Sequence, residues 1–93
     1  MTLQQLEYII AVDECRHFAR AAEQCRVTQP TLSAMIQKLE DELGARIFDR
    51  NRQPIAPTAV GELVIKQARE TLRQSKTIQE VVFEEKASLG GVF

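Results

Sequence analysis

Apolar and polar positions follow a helical period along most of this chain. Leu3, Leu6 and Ile10 recur at spacings of three and four, and Thr2 with Gln5 three residues later forms a capping-box pattern, so a first helix is predicted over about 3–14. Phe18, Ala21, Ala22 and Cys25 repeat in the same way over a short second helix, 18–25, whose adjacent alanines leave a low face for close approach by another helix. Thr28 then offers an N-cap, and Pro30 sits in a first turn where its missing N–H costs nothing. Leu32, Ile36, Leu39 and Leu43 form an inward stripe, and Gly44 supplies a left-handed C-terminal cap, which ends a third helix.

The pattern changes after Gly44. Arg46 to Arg50 and Ile55 to Pro57 read as two very short strands around the turn-rich Asn51-Arg52-Gln53-Pro54, and the prolines demote them to an edge ribbon. Thr58 restarts a helix as N-cap, and nothing breaks it before Gly90-Gly91. Such a helix would rise on the order of 45 Å, more than a small domain can cover. Its apolar positions Ile65, Ala68, Leu72, Ser75, Ile78 and Val82 step by threes and fours, the seam of a helix that pairs with a second copy. A plain amphipathic helix lying on its own domain is the simpler alternative. The fold class is therefore mainly all-α: four helices, the last one long, with a two-stranded β wing.

With the stripe of the third helix turned inward, Gln29, Pro30, Thr31, Ser33, Ala34, Gln37 and Lys38 lie toward solvent in its first half. Short hydroxyls and amides can hydrogen-bond base edges, and Ala34 and the Thr31 methyl can meet thymine methyls. The free N–H groups at the helix start suit a phosphate. Helix, tight turn, helix, with readable residues at the start of the second, is the helix-turn-helix arrangement for the major groove. A solvated polar face explains that stretch equally well on its own. Arg50 and Arg52 at the tip of the following ribbon favour the DNA reading, because a wing there reaches a neighbouring minor groove or the backbone.

Charge qualifies this picture without removing it. The formal net charge of the 93 residues is only -1. Its distribution is uneven: Glu7, Asp13 and Glu14 precede any base, whereas Arg16, Arg20, Arg26, Lys38, Arg46, Arg50 and Arg52 make the middle of the chain locally basic. Hydrophobic residues make up 44%, enough for one small core. Cys15 and Cys25 have neither metal nor scaffold spacing and are expected to be small, mostly buried apolar residues. No apolar run approaches the roughly 18 residues of a membrane span, and no signal region opens the chain, so a cytoplasmic protein is expected. One histidine and scattered glycines supply no nucleophile with its base, no phosphate loop and no metal-ligand spacing. Catalytic residues, cofactor and metal are all expected to be none.

Ala21-Ala22, the run from Val27 to Ser33, Ile36, Leu39-Glu40, Leu43-Gly44, Phe48-Asp49-Arg50, Thr58 and Gly61 together resemble the N-terminal domain of the LysR-type transcriptional regulators. Arg16-His17-Phe18, Gln29 to Ser33 and Leu39 to Gly44 are most similar to the peroxide-responsive OxyR branch. The resemblance implies a winged helix-turn-helix over 1–58, a linker and dimerisation helix over 59–89 and the start of a hinge to a regulatory domain at 90–93. It implies a dimer on dyad-symmetric double-stranded DNA, a tetramer in the full-length protein, RNA polymerase as a further partner, and activation of oxidative-stress genes.

Carried over residue by residue, the family's DNA contacts fall on Gln29, Pro30, Thr31, Ser33, Ala34, Gln37 and Lys38, with Arg50, Arg52 and Gln53 in the wing. Three stretches depart from the usual pattern. Many relatives carry arginine at position 34, and their wing arginine stands where this chain has Gln53, one residue after Arg52. A Ser-Phe-Thr start to the second helix is replaced by His17-Phe18-Ala19. The rival readings are a LysR-type regulator that answers a small-molecule inducer, and a winged-helix module that binds protein.

Overall fold

The computed structural model describes residues 1–88; the hinge expected over 90–93 lies outside them. Its first helix, α1, spans Leu3–Cys15. Thr2 Oγ1 accepts from the Gln5 backbone N–H at 3.1 Å and Gln5 Oε1 accepts from the Thr2 N–H at 2.9 Å, the reciprocal box that satisfies two N–H groups at the helix start. Buried Gln5 also donates from Nε2 to the Met35 carbonyl at 3.1 Å, so a cap residue doubles as a tie to the third helix. The inward face of α1 is Leu6, Ile9 and Val12 with Tyr8 and Ala11. Leu3 is 47% exposed and Ile10 only half-buried, because the packing face is rotated from the Leu3–Leu6–Ile10 line.

Helix α2, Phe18–Cys25, is capped by a histidine: His17 Nδ1 accepts from the Arg20 N–H at 3.2 Å. That acceptor role places the ring proton on Nε2. Ala21 and Ala22 are buried, and with no side chain beyond Cβ they let α2 lie close between α1 and helix α3, Gln29–Leu43. The Thr28 hydroxyl caps α3, and Gly44, at φ 68°, closes it. Leu32, Ile36 and Leu39 are fully buried, whereas Leu43, the last residue of α3, is 41% exposed. It borders an apolar groove with Met1, Leu6, Leu63 and Val64.

The cysteines are half-buried free thiols, more accessible than the core residues expected of them. Cys15 Sγ donates to Gln24 Oε1 at 3.3 Å. Burial, and then the charge of Glu7 and the neighbouring Cys15, push the Cys25 thiol above its usual range.

Strand β1, Phe48–Asp49, pairs antiparallel with β2, Ala56–Pro57, matching Phe48 to Pro57 and Asp49 to Ala56. The ribbon returns straight into helix α4, Ala59–Ser88. Thr58 joins the two. Its N–H donates to the Ile47 carbonyl at 2.9 Å, its hydroxyl donates to the Arg46 carbonyl at 2.5 Å, and the same oxygen accepts from the Gly61 N–H at 2.9 Å. Gly61 permits the approach, since a Cβ there would lie 2.0 Å from the Ile47 carbonyl oxygen. Beyond it Ile65 and Ala68 are buried in the core, and Arg69 donates to Asp13 and Glu14 at the end of α1.

Candidate nucleic-acid interface

Helix α3 exposes its first half. Gln29, Pro30, Thr31, Ala34, Gln37 and Lys38 are exposed and Ser33 is half-buried. The 3.6-residue period stacks Pro30, Ser33, Ala34 and Gln37 on the side opposite Leu32, Ile36 and Leu39, with Thr31 and Lys38 flanking that row. The Thr31 hydroxyl accepts from Thr28 Oγ1 at 2.9 Å, which leaves its own O–H available to donate. Cap and exposed face are thus one network: Thr28 also takes the Thr31 N–H at 3.3 Å.

Beyond the end of α3 the chain folds into the ribbon and its tip. Asp49 Oδ1 accepts from the Asn51 N–H at 3.0 Å, a side-chain turn that folds the tip back on itself. Arg52 and Gln53 are exposed there, and the Gln53–Pro54 peptide is cis. Arg50 is placed differently. Its Nη1 donates to Glu40 Oε1 at 3.1 Å, and its guanidinium carbon lies 5.3 Å from the centre of the Phe18 ring. Phe18 in turn meets Phe48 edge to face, with ring centres 6.3 Å apart.

No contact is expected from the sequence for Glu40, the first residue of the acidic run Glu40-Asp41-Glu42. Its carboxylate is only 2% exposed. Oε2 accepts the Ile47 N–H at 2.8 Å and the Phe48 N–H at 3.4 Å, and Arg46 lies 3.8 Å from Oε1. The sequence carried one sign of this: residue 40 continues the i+4 row of Leu32 and Ile36. Of the basic residues between 16 and 53, Arg16, Arg46 and Arg50 are paired with acids. Arg20, Arg26, Lys38 and Arg52 form no ion pair among the described residues.

The seam anticipated on α4 divides. Ile65 and Ala68 face the chain's own core because α4 begins packed on α1. Leu72 packs half-buried at the edge of that core, and Ser75 Oγ donates back to the Leu72 carbonyl at 2.9 Å. Ile78 and Val82 are exposed, together with Val81 and Phe83. Among the described residues no helix is long and apolar enough to cross a membrane, and no three His, Cys, Asp or Glu side chains gather as metal ligands.

Three helices with a short ribbon beside the third define a winged helix-turn-helix. The model of the bacterial regulatory helix-turn-helix proteins of the lysR family matches residues 3–62, and the chain belongs to that family. The family is one of transcription regulators, not of enzymes. The "DNA-binding transcriptional dual regulator OxyR" of Escherichia coli (strain K12) is 43% identical over 98% of this chain and 30% of its own length. Full-length OxyR from Pseudomonas aeruginosa is 46% identical over 92% of this chain and 29% of that one, with a TM-score of 0.86. A BenM DNA-binding domain solved with its catB site 1 DNA is 34% identical over 99% of this chain and 97% of that one, with a TM-score of 0.83. The chain spans about 30% of the length of the curated relatives it matches.

Proposed function

We propose that this chain binds double-stranded DNA sequence-specifically and supplies the promoter-recognition end of a peroxide-responsive transcription activator. The observation that carries it is the uncharged, exposed start of α3, followed in the chain by a wing tip whose exposed Arg52 forms no ion pair among the described residues. Gln29, Pro30, Thr31, Ser33, Ala34, Gln37 and Lys38 enter the major groove. Arg52 and Gln53 meet the adjacent minor groove or backbone, and Arg50 touches phosphate at the wing's root. Ala34 cannot reach a guanine, so Gln29, Thr31 and Ser33 carry more of the base readout.

The exposed apolar end of α4 pairs two copies on a dyad-symmetric operator, and the full-length protein doubles to a tetramer. RNA polymerase is then the partner that activation requires, and the cytoplasm is the compartment in which both DNA and polymerase are met. Peroxide as the signal is supported by the relatives' similarity to this chain. The DNA-bound state of the BenM domain supports the partner.

Selection of bound duplexes from a random pool tests the reading. A dyad-symmetric consensus is expected, and Gln29→Ala or Thr31→Ala should weaken binding to it by about 1–3 kcal/mol while leaving random DNA nearly unaffected. Equal losses on both would overturn base readout. Failure to enrich any duplex would favour a protein-binding module instead.

A further inference from the structure

We infer that Glu40 is a positioning residue for DNA binding: its buried carboxylate fixes the root of the wing and aims Arg50 at a phosphate. This rests on the DNA-binding reading above.

The geometry is a closed circuit through three elements. Glu40 on α3 holds the chain entering β1 by the Ile47 and Phe48 N–H groups, and holds Arg50 just beyond β1 by Nη1. Arg50 lies over Phe18 at the start of α2, and Phe18 closes back on Phe48. The circuit ties the ribbon both to the end of α3 and to the start of α2. Glu40 uses only one nitrogen of the guanidinium. Arg50 is 31% exposed and its remaining N–H groups meet no acceptor among the described residues, so a rigid fork with spare donors faces outward. A backbone phosphate matches that fork in shape and charge.

Charge alone argues the other way, and this makes the inference testable. A carboxylate at the wing's root lowers the attraction to a polyanion, so neutralising it should tighten binding if Glu40 did nothing else. If Glu40 aims Arg50, neutralising it should loosen binding.

The test measures affinity of the whole 93-residue chain for its selected duplex across a range of salt concentrations. Glu40→Gln keeps the size and an acceptor oxygen; it is expected to lose about tenfold in affinity, the loss of one charge-assisted hydrogen bond. The slope of log affinity against log salt should fall by roughly one as a phosphate contact is lost. A merely destabilised but correctly shaped domain would bind less without any change of slope. Arg50→Lys keeps the charge and removes the fork and the stacking; a similar loss is expected, and the double variant should be little worse than either single one.

Unchanged or tighter binding by Glu40→Gln overturns the inference, as does a double variant whose losses multiply. If Glu40→Gln does not fold, Arg50→Lys decides, and wild-type affinity there overturns it. Binding by the wild type with an unaffected Arg50→Lys sinks the positioning role alone. Absence of any binding by the wild type sinks the DNA reading and this role with it.

Discussion

The two halves of α4 share one helix and one apolar stripe, yet they live in different surroundings. From Gly61 to Leu72 the stripe closes the domain: Ile65 and Ala68 are buried, and Arg69 grips Asp13 and Glu14 on α1. From Ile78 onward the same stripe is bare, with Ile78 70% and Val82 52% exposed. Periodicity reports which face of a helix is apolar. It does not report what covers that face, and here the first half is covered within the chain while the second stays exposed.

This contrast can be broken from either end. Gly61→Ala should do most damage, because the new methyl meets the Ile47 backbone rather than a flexible side chain; a loss of about 4 kcal/mol in denaturant unfolding is expected. Ile65→Ala should follow at about 3 kcal/mol, and the loss should not depend on protein concentration. Ile78→Glu should change the stability of the single domain by less than about 0.5 kcal/mol. It should, however, convert a dimer to monomer in sedimentation, and a wild type that sediments as a monomer would end the two-surface account. Leu72 touches both regions, so Leu72→Glu would weaken fold and pairing together and separate nothing.

The smallest expected effect is acid fraying of the bare region's near edge. A hydrogen bond from Arg73 at 2.5 Å holds the Glu70 carboxyl below its usual range. Its contribution is therefore present above the ordinary carboxylate range and is lost as pH falls through the lowered folded value. Helicity by circular dichroism should drop slightly at acid pH, and Arg73→Gln should remove that drop.

What was legible in the sequence is mostly what is local. The Thr2–Gln5 box, the Thr28 cap, Pro30 in the first turn and the Gly44 stop depend on residues within a few positions, and each stands where the pattern put it. The exposed start of α3 followed from the burial of Leu32, Ile36 and Leu39 opposite it. Leu3 and Leu43 were misplaced because a stripe near a helix end can run past the body that should cover it. Glu40 was hidden by its neighbours, since a carboxylate in an acidic triplet reads as solvated. Its partners are backbone N–H groups of a loop, and no residue type marks these. Arg50 looked like a free wing base because the ring beneath it belongs to Phe18, far away in the sequence.

The contact of Gly61 with the Ile47 backbone gives the molecule a fulcrum. From residue 61 to residue 88 α4 extends about 40 Å, so each degree of tilt at the contact moves the far end by roughly 0.7 Å. A methyl's worth of displacement at Gly61 would swing whatever is attached to that end through several ångströms. Glycine at this position thus sets an angle of projection for the distal arm, and with it the separation that two such arms could span.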